Sequence, residues 1–189
     1  MCQDVQRAHA IASAPRRARC EVLADKNMIQ TVRISNFGEY MSRHFVDVFG
    51  GVLCLPATLS DKLKAPPMAG RVIGSVGFAG PTVAGAVYVH FSEPFARCAT
   101  AAMLGLAPEE ISSPGEVNGG VGEVANLLTA GLKSWLCEAG VPCAMSAPAI
   151  IRGTAYTIEP MPDMERETLV FECGDEFVVV EVHVQLTQT

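Results

Sequence analysis

The 189-residue sequence is poor in basic residues and has no long apolar run, and each absence excludes a class of protein. Its 14 Lys and Arg residues are outnumbered by 20 Asp and Glu residues, which gives a formal net charge of -6. Nucleic-acid affinity depends on clustered basic side chains, so we expect no nucleic-acid partner. No apolar segment approaches the roughly 20 residues that span a bilayer, so we expect no membrane insertion.

The sequence also lacks a zinc-binding cysteine pattern and an export signal. Its seven cysteines contain no C-x-x-C pair, and no histidine lies near Cys137 and Cys143 at the spacing of a zinc site. The first residues lack the continuous apolar segment of a signal peptide. We therefore expect a cytoplasmic protein whose own residues bind no metal.

What the sequence does contain is the composition of a globular domain, with 49% hydrophobic and 18% charged residues. Residues 1–27 are rich in Ala and Arg and weakly periodic, and we expect them to form a flexible N-terminal extension. Residues 28–189 are expected to form one folded domain, because a chain of this length can bury a core of its own.

Helical spacing and strand-like runs divide this domain into elements. A helix is predicted from Asn36 to about Gly50, followed by a strand at Val52–Leu59. Ser92, Pro94 and Gly105 mark the ends of a second helix. A third begins at the capping box of Ser113 and Glu116 and ends near Ala139. The remaining runs predict β-structure: RVIGSVGF with TVAGAVYVHF as a hairpin, VPCAMSAPAII, a stretch near TAYTIE, and ETLVFEC with EFVVVEVHVQL as a second hairpin.

The order of a helix followed by about three strands occurs twice along the chain. The segments that follow the first and third helices, VLCLPAT and VPCAMSA, also look alike, which indicates a weak internal duplication. We therefore predict an α+β fold in two layers, with helices packed on an antiparallel sheet and pseudo-duplicated helix-strand-strand-strand halves.

The segment GEVANLLTAG, from Gly122 to Gly131, holds two polar residues within an apolar stretch. At about 100° per residue, Glu123 and Asn126 lie about 60° apart and opposite the apolar stripe of the helix. The stripe consists of Val121, Val124, Leu128, Leu132 and Trp135. Both polar side chains are therefore expected to project outward on one exposed face.

Two glycines flank this face, at Gly119 and Gly120. Each costs a helix about 1 kcal/mol relative to alanine, so a reason for them is expected. One hypothesis is a flat surface on which another protein lies close to Glu123 and Asn126. A second is that the regular helix begins only after Gly120.

The whole region around this helix resembles the CheC/CheX/FliY family of chemotaxis phosphatases, and within it CheX most closely. The resemblance covers roughly residues 29–186. It rests on Glu123, Asn126 and Pro148, on the flanking GEVANLL, on SAPAIIRG, and on the hairpin and helix of GRVIGSVGFAGPTVAGAVYVHFSEPFARCATAAMLG.

The resemblance implies hydrolysis of the aspartyl phosphate of a CheY-type receiver. It implies that Asn126 orients the attacking water and that Glu123 pairs with the receiver's lysine. The catalytic residues are then Glu123 and Asn126, and the partner-binding residues are Gly119, Gly120, Gly122 and Ala130. Mg²⁺ is expected on the receiver, with no cofactor bound by this chain. A homodimer is also implied, for which the VVVEVHVQL strand is predicted to supply a free edge.

Two alternatives remain open at this stage. The family's Asp or Ser position is occupied by Gly119, which favours a non-catalytic module that binds a receiver or a flagellar-switch component. The other alternative is a structural or small-molecule-binding domain in which Glu123 and Asn126 are ordinary surface residues.

Overall fold

The computed structural model describes residues 34–61, 70–154 and 157–187. The predicted extension at residues 1–27 lies outside these ranges. No helix within the described ranges is both long and apolar enough to cross a membrane.

The described residues form helices and strands in the predicted alternation. The helices are α1 (Ile34–Gly51), α2 (Glu93–Leu104) and α3 (Pro114–Glu138), with a short 3-10 turn at Pro108–Glu110. The strands are β1 (Thr58–Leu59), β2 (Arg71–Ala79), β3 (Val83–Ser92), β4 (Ala144–Met145), β5 (Ala149–Gly153), β6 (Glu165–Cys173) and β7 (Glu176–Leu186).

The strands pair antiparallel in the order β1-β6-β7-β3-β2-β4, with β5 also paired to β2. The first half of the chain supplies α1, β1, β2 and β3, and the second supplies α3, β4 with β5, β6 and β7. The last strands of the two halves, β3 and β7, pair at the centre, where Val87 lies opposite Val182. The first strand of each half pairs with the second strand of the other half. The predicted pseudo-duplication is thus confirmed by both element order and pairing.

The core lies between the helices and one face of this sheet. Alternate strand residues point into it, as the two-residue period of a strand requires. Phe45 of α1 stacks on Phe171 of β6 with ring centroids 3.8 Å apart, and Phe49 stacks on Phe45 at 4.0 Å. All three rings are fully buried, and burying a side chain of this size contributes roughly 1.5–3 kcal/mol.

Local sequence explains where α2 begins and ends. The Ser92 side chain accepts a hydrogen bond from the Phe95 N–H, and Pro94 lies in the first turn. Gly105 ends the helix in the left-handed conformation, with φ 67, and its N–H donates to carbonyls of the last turn. Both boundaries agree with the prediction.

The predicted strand at Val52–Leu59 is mostly absent, because only Thr58–Leu59 is paired. The N–H groups of Val52 and Leu53 both donate to the Val48 carbonyl, which continues the end of α1 instead. Cys54 then takes a positive φ of 55, which a strand does not allow. The stretch near TAYTIE is likewise not a strand at its described residues, 154 and 157–159.

The prediction that VVVEVHVQL supplies a free sheet edge is wrong. This segment belongs to β7, which lies inside the sheet and pairs with β6 on one side and β3 on the other. From Val179 to Val184 the strand is paired on both sides within the chain. The homodimer itself stays a prediction, since a single chain does not test it.

Candidate functional site

The exposed face of α3 carries the predicted pair. Val121, Val124, Leu128 and Leu132 are at most 1% exposed, and they fix which side of the helix faces the core. Glu123 is exposed, as the helical spacing predicts, whereas Asn126 is half-buried. Gly119 is also exposed, and Ala130, one turn beyond Asn126, is half-buried.

The beginning of this helix is fixed by a reciprocal capping box. The Ser113 hydroxyl accepts from the Glu116 N–H at 3.3 Å, while the Glu116 carboxylate accepts from the Ser113 N–H at 2.8 Å. The same carboxylate accepts from the N–H and hydroxyl of Ser112. Hydrogen bonds from Ser113 and then from Ser112 hold the pKa of Glu116 below its usual value.

Beneath the site, α3 lies very close to the central sheet. A Cβ on Gly74 of β2 would lie 2.7 Å from the Val121 carbonyl oxygen and 2.9 Å from the Ala125 Cβ. Only glycine allows this approach, which sets the depth at which α3 lies against β2.

On one side, the site borders the segment that contains β4 and β5. A Cβ on Gly122 would lie 3.6 Å from Cβ and Cγ of Pro148 and from Cδ1 of Ile150. Gly122 and Asn126 are one helical turn apart on the same side of α3, so Asn126 projects beside this border. Pro148 therefore lies next to the candidate site in space, although it is distant from it in sequence.

On the opposite side, α2 packs against Gly120. A Cβ there would lie 2.2 Å from Thr100 Oγ1 and 2.7 Å from its Cβ and Cγ2. Thr100 thus fills the space beside the Gly120 backbone. A Cβ on Gly119, in contrast, would meet nothing within 4 Å. Of the predicted partner-binding glycines, Gly119 lies open, whereas Gly120 and Gly122 face other parts of the chain.

The second half of α3 is held by α1. The His44 ring lies on Gly131, and its Nε2 is 3.3 Å from the Leu127 carbonyl oxygen. Tyr40 stacks on Trp135 with ring centroids 5.3 Å apart. Contacts of this kind on three sides leave Glu123 and Asn126 on the side that faces away from the sheet.

One basic residue near the site gives no signal in the sequence. Arg152 of β5 donates to Asn118 and to the Pro114 carbonyl of α3, and also to Glu93 of α2. It therefore connects three elements next to the capped end of α3. A single arginine in an apolar strand run resembles an ordinary surface residue, so sequence reasoning did not select it.

The side chains of the candidate pair have no hydrogen-bond partner among the residues that the structure describes. Neither the Glu123 side chain nor the Asn126 side chain forms a hydrogen bond or ion pair with any residue in the described ranges. The carboxylate is an acceptor, and the carboxamide is both an acceptor and a donor. In those same ranges, no three His, Cys, Asp or Glu residues are grouped so that they could hold a metal ion.

The corresponding face of α1 differs in its chemistry. Its GEYMS segment places Glu39 and Ser42 where the GEVAN segment of α3 has Glu123 and Asn126. Glu39 forms an ion pair with Arg43, and the Ser42 hydroxyl donates to the Glu39 carbonyl at 3.0 Å. At the position that matches Asn126, α1 therefore has a hydroxyl in place of a carboxamide.

Comparisons with known proteins identify the family and the fold. The sequence matches the family model "Chemotaxis phosphatase CheX" over residues 72–172, and no curated protein sequence matches it. The fold is similar to that of the CheX protein from Vibrio vulnificus, with a TM-score of 0.67 and 24% identity over 79% of this chain and 96% of that one.

Two further solved structures share the fold. A CheC-like superfamily protein from Shewanella sp. PV-4 has a TM-score of 0.67 and 24% identity over 82% of this chain and 99% of that one. The CheX of a CheX–CheY–BeF3–Mg²⁺ complex from Borrelia burgdorferi has a TM-score of 0.62 and 19% identity over 78% and 96%. Because the family model matches more than half of the 189 residues, the chain belongs to the chemotaxis phosphatase CheX family.

Proposed function

We propose that this protein hydrolyses the aspartyl phosphate of a CheY-type response regulator on the exposed face of α3. The observation that carries the proposal is the pair of Glu123 and Asn126, whose side chains project from one helix face and bond to no described residue. Membership of the CheX family supports the reaction type. The Borrelia burgdorferi complex of CheX with CheY, BeF3 and Mg²⁺ supports a receiver as the partner.

In this proposal Asn126 orients the attacking water. Phosphoryl transfer requires a water in line with the leaving oxygen and little covalent help from the protein. A carboxamide accepts a hydrogen bond from water through its oxygen and donates to a phosphoryl oxygen through its nitrogen. It also keeps the same charge across the pH range in which the protein is folded.

Glu123 anchors the docked receiver. Its exposed carboxylate is available for a charge-assisted bond to the lysine of the receiver's phosphorylation site. The group is proposed to bind the partner, and no covalent intermediate on Glu123 is invoked. Mg²⁺ would be held by the receiver's own carboxylates, so the reaction needs no metal ligand from this chain.

A second candidate is a module that binds a receiver without hydrolysing its phosphate. Gly119 favours it, because this position lies one turn before Glu123 on the exposed face and offers no side chain. Both candidates predict binding of a phosphorylated receiver. Only the phosphatase predicts that its phosphate is hydrolysed.

The deciding experiment measures phosphate release from phosphorylated receivers by the wild type and by Asn126→Ala. Alanine favours the helix more than asparagine does, so a loss of activity would not result from an unstable α3. Loss of one well-placed hydrogen-bonding group in a transition state typically lowers kcat by about 10²-fold or more, and we expect a loss of that order.

Matched controls come from the corresponding face of α1. Glu123→Gln is expected to raise KM for the phosphorylated receiver, whereas Glu39→Gln, which changes another exposed helical glutamate, should leave KM unchanged. A wild type that binds a receiver but does not accelerate phosphate loss would establish the binding module. In that case Gly119→Asp, which has open space for its side chain, tests whether the missing group is the cause.

A further inference from the structure

Arg152 forms the polar contact between β5 and the first turns of α3. Its Nε donates to Asn118 Oδ1 at 2.7 Å, one terminal nitrogen donates to Glu93 Oε2 at 2.5 Å, and the other to the Pro114 carbonyl at 3.3 Å. A planar guanidinium reaches all three partners at once because its donors diverge in a fixed fork. Arg152 thus ties α3 to both β5 and the beginning of α2.

The contact lies on the side of α3 that leads to Asn126. Asn118, Gly122 and Asn126 follow one another at intervals of four residues, so they form a row along that side of the helix. Arg152 holds the first member, and Pro148 and Ile150 of the same chain segment lie against the second. The third member, Asn126, is about 12 Å from Asn118 along the helix axis.

The ion pair of Arg152 with Glu93 contributes little to overall stability. The side chains of Arg152 and Glu93 are 32% and 40% exposed, and an ion pair this exposed is typically worth about 0–1 kcal/mol. Reaction rate is far more sensitive to placement, because a misplacement of about 1 Å at a reacting group can cost about 10²-fold. Arg152 is therefore expected to affect the reaction rate, by fixing the position of α3, more than it affects stability.

We propose that Arg152 is a positioning residue for the proposed phosphatase reaction. It fixes the setting of α3 against β5 through Asn118 and Pro114, and so determines where Asn126 holds water relative to a docked phosphoaspartate. The proposal rests on the proposed function for its kinetic consequence. Its structural part, that Arg152 restrains the first half of α3, stands independently of activity.

The test uses Arg152→Gln and Arg152→Lys in the full chain, with Arg43→Gln as the control. Arg43 of α1 is also paired with a glutamate, so its replacement makes the same charge change at a position outside α3. Steady-state phosphate release from a phosphorylated receiver gives kcat and KM separately. Hydrogen exchange of the α3 amides from Gly115 to Asn126 gives the restraint itself.

For Arg152→Gln we expect kcat to fall by roughly tenfold while KM stays within about twofold, since the docking group Glu123 is retained. Arg152→Lys keeps the charge beside Glu93 but lacks the second N–H group that binds Asn118. Its kcat should therefore recover less than half of what Arg152→Gln loses. Amide exchange in α3 should rise in both variants and stay unchanged in Arg43→Gln.

Three results would overturn the proposal. Unchanged exchange in α3 would show that Arg152 does not restrain the helix. A raised KM with unchanged kcat would make it a docking residue, and full rescue by lysine would reduce its role to charge. If the wild type itself releases no phosphate, the proposed function fails, and the exchange measurement still decides whether Arg152 restrains α3.

Discussion

Alanine at Gly119 is expected to raise stability, whereas alanine at the neighbouring Gly120 is expected to leave it unchanged or lower it. Both substitutions gain the same helix propensity, about 1 kcal/mol. At Gly119 the added methyl group meets nothing within 4 Å, so the full gain remains. For a protein of this size, 1 kcal/mol raises Tm by about 2–4 °C.

At Gly120 the added methyl group overlaps Thr100. Its Cβ would lie 2.2 Å from the Thr100 Oγ1 and 2.7 Å from the Thr100 Cγ2, both well inside van der Waals contact. Thr100 is 1% exposed and its hydroxyl already donates to the Ala96 carbonyl at 2.8 Å, so the side chain has little room to rotate. Overpacking of this kind typically costs about 1–3 kcal/mol.

The difference between the two variants is therefore expected to be about 1–3 kcal/mol, because helix propensity cancels. Urea unfolding followed by circular dichroism measures it directly, and Trp135 fluorescence reports on α3 itself. A double variant, Gly120→Ala with Thr100→Ala, should recover most of the loss by removing the overlapping atoms. Equal stability of Gly119→Ala and Gly120→Ala would refute the proposed packing of α2 on α3.

Two predictions concern pH. Burial, followed by the charges of Arg71, His183 and Arg166, lowers the pKa of His90 from 6.5 to about 4. The unfolded chain then binds a proton first, so stability should fall by about 3 kcal/mol as pH drops from 6.5 to about 4, and urea unfolding of His90→Gln should show a flatter profile. Whereas the fold favours the neutral form of His90, it favours the ionised form of Glu116, because the capping hydrogen bonds to its carboxylate hold its pKa low. Amide protection in the first turn of α3 should therefore be lost as pH falls through this lowered pKa, and Glu116→Gln should show weaker protection at neutral pH with no such transition.

Much of the fold follows from local sequence, because the signals involved act over a few residues. The capping box of Ser113 and Glu116 and the N-cap Ser92 predict where helices begin, and the two hairpins have short turns between alternating strands. The apolar stripe of α3 likewise fixes its rotation, which is why Glu123 and Asn126 were predicted on the exposed face.

The failures involve distances that sequence spacing does not encode. EFVVVEVHVQL identifies a strand but not its neighbours, and only the pairing with β3 and β6 shows that it is central. The contact of Gly120 with Thr100 and the contact of Arg152 with Asn118 join residues on different elements. A helical wheel shows only residues of one helix. The packing role of Gly120 and the contacts of Arg152 are therefore visible only in the folded structure.

The crossed pairing of the two halves has a consequence for how the protein comes apart. In each half, the first strand finds its hydrogen-bonding partner in the other half, and the central pair β3 and β7 also joins the two. Neither half therefore contains a complete sheet of its own. The described chain is expected to unfold as one cooperative unit, and fragments divided between α2 and α3 to assemble only with each other.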